Sequence, residues 1–235
     1  SLKSREFLDT SGLPDSVVTR QGNWIVNETL VIPRSVTWRL EAGAKLRFGP
    51  DARVIVRGRI LAEGEPRKPI IFAASDKSWK GIQVIQGSAQ SEFKHIEFLN
   101  IDRSPISFPG LTGAVTVYET PVLMNNVSFR DINAEDALNI INCTFYVSDV
   151  SFNAVRSDAI DVDFSKGKIS GGYFETVGGD GVDTSGSTVS LKSLEFNGIS
   201  DKALSVGEKS NVTAEKIVIR DAAIGIVSKD LSVLK

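Results

Sequence analysis

Short stretches in which apolar and polar residues alternate recur along the chain, as in WIVNETLVI (24–32), VTWRLEAGAKLRF (36–48) and ARVIVRGRILA (52–62). Alternation with a period of two sends successive side chains to opposite faces of an extended strand. The helical spacing i, i+3, i+4, i+7 is sustained nowhere. The pattern predicts an all-β chain.

The alternating runs also repeat. From residue 113 the chain divides into GAVTVYETPVLMNNVSFRDI, DALNIINCTFYVSDVSFNAV, DAIDVDFSKGKISGGYFETV, DGVDTSGSTVSLKSLEFNGI, KALSVGEKSNVTAEKIVIRD and a shorter last unit. One column reads Phe129, Phe152, Phe174, Phe196, Ile219, at spacings of 23, 22, 22 and 23 residues. A second reads Val115, Leu138, Ile160, Val182, Leu204, Ile224, and a third Val117, Ile140, Val162, Thr184, Val206, Ile226. Units this short cannot bury a face alone, so they must stack. A propeller blade needs about 40 residues, and the leucine-rich spacing L-x-x-L-x-L-x-x-N is absent. A coil of roughly 22 residues fits a single-domain parallel β-helix, with equivalent strands stacked about 4.8 Å apart.

The N-terminal half follows the same logic with longer coils. Its segments WIVNETLVIP, LEAGAKLRFGP, VRGRILAEG, KPIIF and WKGIQV resemble the opening coils of right-handed parallel β-helix modules of the pectate-lyase-like superfamily, found in bacterial secreted and surface proteins. The resemblance spans residues 22–232. It implies export to the bacterial surface or medium and association with polysaccharide. The fold itself hosts lyases, hydrolases, epimerases, adhesins and spacers. The expected organisation is a lead-in or cap over 1–21 and one solenoid over 22–235, as part of a longer, multidomain protein. Leu99–Gly113, with two prolines, reads as a loop leaving the coil wall.

The chain has 235 residues, 41% hydrophobic and 24% charged, with a formal net charge of −2. That balance argues against nucleic acid as a partner. No run of 18 apolar residues is present, so no helical transmembrane segment is expected. A single cysteine, Cys143, allows no internal disulfide and reads as a buried small side chain. Trp24, Trp38 and Trp79 read as core residues rather than a sugar-stacking platform. The lone histidine, His95, reads as a rim or turn residue, and the four N-x-S/T triplets as turn-rich composition. Docking of other proteins on the C-terminal coil would require Leu231 and Val233 to be exposed.

The chemistry concentrates in aspartates. Aligned on the apolar column, Asp136, Asp158 and Asp180 precede it by two residues, and Asn139, Asp161 and Asp183 follow it by one. With Ile160 and Val162 facing inward, Asp161 and Asp163 face outward, and Asp161 stacks on Asp183. Two carboxylates about 5 Å apart repel by roughly 1 kcal/mol in water and about 3 kcal/mol at an effective dielectric of 20. A hard cation such as Ca²⁺, a shared proton, or a lysine such as Lys202, Lys166 or Lys168 relieves this. Asp161, Asp163 and Asp183 are the candidate metal ligands. Asp and Gly also favour corners, so a purely structural column remains open.

The segment GGDGVD is similar to the double-aspartate segment of polygalacturonase-type glycosidases. That resemblance implies Asp161, Asp183, Asp158 and Asp180 as general acid and base. The His-Gly and Arg-x-Lys elements of those enzymes are missing, as is an epimerase-like Asp-Pro-His-Asp element. A lyase with Ca²⁺ and an arginine base would have to use Arg156 or Arg220. The sequence therefore points first to a surface module that binds carbohydrate or acts as a scaffold, and second to a polysaccharide hydrolase, lyase or epimerase using the same aspartates.

Overall fold

The computed structural model of the chain describes residues 5–12, 14–103 and 111–235. All regular structure among them is β: twenty strands, paired in parallel, wind into a solenoid of about nine turns. Each turn contributes to three walls. The first begins with Ser16–Thr19, Thr37–Leu40 and Arg59–Glu63, and the second with Gly22–Val26, Ala44–Phe48 and Ile70–Ala74. Further along, single twelve-residue strands such as Ser91–Asp102 and Val122–Asn133 bend to serve both. The third wall is built from Leu30–Ile32, Val54–Val56, Ile82–Ile85, Gly113–Tyr118, Asp136–Ile141, Asp158–Asp163 and Val182–Ser185.

Stacking copies each inward column from coil to coil. Phe72, Phe98, Phe129, Phe152, Phe174 and Phe196 form one continuous ring stack, with neighbouring centroids 4.5–5.3 Å apart. Each such pair adds about 0.5–1.5 kcal/mol beyond its buried area. The predicted Phe129-to-Ile219 column is this register. The other two columns hold as far as Leu204 and Val206 and then shift. Leu204 pairs with Ile226 and Val206 with Ser228, because irregular pairing between Phe196 and Lys202 moves the last strand by two residues. Ile224 therefore lies beside Lys202 instead.

A second, polar ladder runs inside the coil. The backbone N–H of Ser165 donates to Ser187 Oγ (2.9 Å), that of Ser187 to Ser210 Oγ (3.0 Å) and that of Ser210 to Ser232 Oγ (3.1 Å). Cys143 belongs to this column, its N–H donating to Ser165 Oγ at 2.8 Å and its thiol to the Ile141 carbonyl at 3.0 Å. It is buried, as expected, but fills a hydroxyl position rather than an apolar one. The three corners are columns of left-handed residues. Asn126, Asp149, Gly171 and Ser193 mark one, Asp131, Ala154, Thr176 and Gly198 another, and Glu119, Asn142, Phe164 and Gly186 the third. Gly, Asn and Asp tolerate positive φ best, which explains their recurrence at this period.

Trp38 and Trp79 are fully buried, and Trp24 is half-buried against the core. Phe7 and Leu8 are buried, and Asp9 bridges antiparallel to Val18. Ser16–Thr19 already pairs in register with Thr37–Leu40, so the stacked pattern starts within the first 21 residues. Of the expected loop 99–113, Leu99–Asp102 and Gly113 are strand, while 104–110 lie outside the described residues. At the C-terminal coil Ile224, Ile226, Leu231 and Val233 are exposed, Leu231 to 85%.

Candidate functional site

The aspartates occupy the third wall and its entry corner. At the corner, the Asp136, Asp158 and Asp180 column ends at Lys202, and its carboxylates tie one coil to the next. Asp158 Oδ1 accepts the Asp180 N–H at 2.7 Å, and Asp180 Oδ1 accepts both the Lys202 N–H (2.9 Å) and its ammonium (3.0 Å). Thr112 Oγ1 donates to Asp136 Oδ2 at 2.5 Å. The GGDG run follows from this geometry. A Cβ at Gly179 would sit 2.0 Å from Asp158 Oδ1, and one at Gly181 2.5 Å from the Phe196 ring. Corner chemistry thus explains part of the repeated aspartates.

On the wall face, one outward column runs Val31, Ile55, Gln83, Thr116, Asn139, Asp161, Asp183, Ser205 and Val227. Asp161 stacks on Asp183 as expected. The face is not an open solvated one, however: Thr116, Asn139 and Ser205 are at most 1% exposed. A parallel column runs Ile85, Tyr118, Ile141, Asp163, Ser185. An apolar and aromatic strip therefore leads directly onto the acids.

Burial sets the protonation of this cluster. It pushes Asp161 up to about 9, with the charges of Asp136, Asp163 and Asp183 adding to it. Asp136 rises to about 7, chiefly from burial, against the hydrogen bond from Thr112. Asp158 rises to about 6 for the same first reason, opposed by the Asp180 N–H. Asp163 and Asp183 are raised by burial as well. Asn139 Nδ2 donates to Asp161 Oδ2 at 3.0 Å, while Asn139 Oδ1 is buried without a partner.

Of the three lysines expected to neutralise the acids, only Lys202 does so. Burial works against its ammonium, but the hydrogen bonds it donates to Asp201 and Asp180 outweigh that and raise its pKa. Lys166 opens the following strand as an exposed residue, and Lys168 lies over the Tyr146 ring at 5.9 Å. Neither arginine singled out in the sequence faces the acids: Arg156 donates to Asn133 Oδ1, and Arg220 pairs with Glu195. His95 sits at a corner with its Nδ1 3.0 Å from Asn126 Oδ1.

Arg103 is the charged residue that the sequence pattern missed. It is 6% exposed and donates to the Gly113 carbonyl at 2.7 Å. Gln83, with its amide oxygen turned toward the guanidinium, accepts from Arg103 Nη2 at 2.6 Å. Burial and then Arg53 lower its pKa to about 10, while Asp136 opposes them. Its one sequence signal was its place directly before the Pro-containing segment that breaks the repeat.

Among the described residues, Asp158, Asp180 and Asp183 form a grouping of potential ligands, each offering a carboxylate oxygen within 4.8 Å of the others. An ion about 2.4 Å from each oxygen spans that separation, which is Ca²⁺ geometry. The donors are hard oxygens throughout. The residues therefore fit a hard divalent cation, with Asp183 shared between this grouping and the predicted set of Asp161, Asp163 and Asp183. No protein-family model, no curated protein and no solved structure matches this chain.

Proposed function

We propose that the third wall is a carbohydrate-binding surface that holds its ligand through a hard cation, Ca²⁺ by chemistry, on Asp158, Asp180 and Asp183. One observation carries this reading: three carboxylate oxygens from adjacent coils lie within 4.8 Å of one another. Carboxylates at that distance repel unless a positive charge or protons intervene, and Lys202 reaches Asp180 alone among the three. A bound cation supplies the missing charge and leaves coordination positions for hydroxyl or carboxylate oxygens of a sugar. Tyr118 and Ile141, in the two coils before Asp163, offer an apolar strip for a ring face on the same wall. Membership of the pectate-lyase-like superfamily, export and a place on the bacterial surface are part of the same proposal and rest on the sequence resemblance.

Affinity electrophoresis through gels containing acidic or neutral polysaccharides, with Ca²⁺ and then with EDTA, tests it. Retardation by at least one polysaccharide that EDTA abolishes is the expected result. Equal mobility in every gel would overturn the carbohydrate reading.

A second reading is favoured by the protonation of Asp161. A carboxyl held neutral at pH 7 beside the more acidic Asp158 is the pairing that glycoside hydrolysis needs, one group giving a proton and the other activating water. New reducing ends from a polysaccharide, lost in Asp161→Asn, would support it. Their absence across acidic and neutral substrates would remove it.

A further inference from the structure

The same wall carries a recess at the corner, three to five coils nearer the N-terminus than Asp158. It has a volume of about 460 Å³ and is lined by Val31, Pro33, Arg34, Arg57, Ile85 and Gln86. That volume lies within the ~300–1,000 Å³ range of small-ligand sites. Arg57 follows Val56 as Ile85 follows Val84, and Val56 and Val84 are register partners, so the guanidinium stem sits one coil above Ile85. Three of the lining residues are apolar, and Val31 leaves 44% of its surface open.

The charges of this recess are unbalanced. Among the described residues no carboxylate lines it. The Arg57 side chain makes no ion pair or hydrogen bond among the described residues, its backbone N–H donating to the Ile32 carbonyl, and the Arg34 side chain makes one weak contact, to Gln86 Oε1 at 3.4 Å. The nearest acid along the corner, Glu119, is held by Gln86 Nε2 at 2.8 Å and Asn142 Nδ2 at 3.4 Å. Some other surface arginines among the described residues pair with carboxylates, Arg5 with Glu28, Arg20 with Asp9 and Glu41, Arg59 with Glu92, while others such as Arg156 do not. Two guanidiniums converging on one recess without an anion repel each other, and their planar donor arrays match an oxyanion.

We propose that Arg34 and Arg57 form an oxyanion-binding site for a carboxylate or sulfate carried on a ring, the ring resting on Val31, Pro33 and Ile85. Asp158, the nearest of the proposed cation ligands, lies four coils from Arg57, about 19 Å along the wall, and Asp183 five, so the site works without the cation.

The test is calorimetric titration, in EDTA and low salt, of the full chain with glucuronate, glucose 6-sulfate and glucose. EDTA separates this site from the cation-dependent one. Saturable binding of at least one anionic sugar, with glucose inert, is expected, and the arm that binds identifies carboxylate or sulfate as the group read. Arg57→Gln should weaken it by about tenfold or more, the value of one charge-assisted hydrogen bond. Arg34→Gln should weaken it similarly. Both side chains are exposed, so an unchanged melting temperature confirms intact folding. No binding of either anion, equal binding of glucose, or unchanged affinity in both variants would overturn the site.

Discussion

Replacing Asp161 by Asn removes an ionisable group but keeps its shape, and the consequence for stability depends on pH with a definite sign. In the folded chain burial holds the Asp161 carboxyl at about 9, against 3.8 for an ordinary aspartate. Between those values the native state keeps a proton that the unfolded chain has released, so stability falls as pH rises through the window. Asp158 and Asp136, at about 6 and 7, contribute the same sign lower down. Above pH 7 Asp161 dominates among these three, and one retained proton corresponds to roughly 1 kcal/mol lost per pH unit, about 2 kcal/mol from pH 7 to 9. Urea unfolding in EDTA at pH 7, 8 and 9 measures it. The wild type should lose about that much more than Asp161→Asn over the interval. Parallel stability curves would refute the half-buried, protonated Asp161.

Three other substitutions probe separate parts of the structure. Ser187→Ala strands the buried Ser165 N–H and should cost about 1–3 kcal/mol by urea midpoint, whereas Cys143→Ser, which restores the column's usual hydroxyl, should cost under about 1 kcal/mol. Phe152→Ala opens a gap between Phe129 and Phe174 and should cost about 3–5 kcal/mol in the same assay. Gly179→Ala puts a methyl where Asp158 Oδ1 lies, so Ca²⁺ affinity measured by calorimetry should fall about 10- to 100-fold while the far-ultraviolet spectrum stays β.

The solenoid was legible because stacking repeats apolar residues at one period, and the Phe129-to-Phe196 column survives in the structure residue for residue. The last register was not, because the pairing slips between Phe196 and Lys202 and an alternating strand looks the same after a two-residue shift. The serine ladder was hidden for a different reason. Small polar residues read as turn formers in a sequence, and Cys143 disguised one rung. The outward direction of Asp161 and Asp183 followed from alternation, but their partial burial did not, because alternation says nothing about what lies over a face. Arg103, Arg34 and Arg57 stayed out of sight because the coils that carry them have irregular lengths. Gln83 with Arg103, and Arg57 with Ile85, come together only once those coils are wound.

The most direct measurement is calorimetric titration of the chain with Ca²⁺ at pH 7.5, alongside the Asp158→Asn/Asp183→Asn variant and with melting temperature followed in parallel. The wild type should bind Ca²⁺ saturably and melt at higher temperature when loaded, and the variant should do neither. Absence of heat and of any melting shift in the wild type, or the same binding in the variant, would contradict a cation held by Asp158, Asp180 and Asp183.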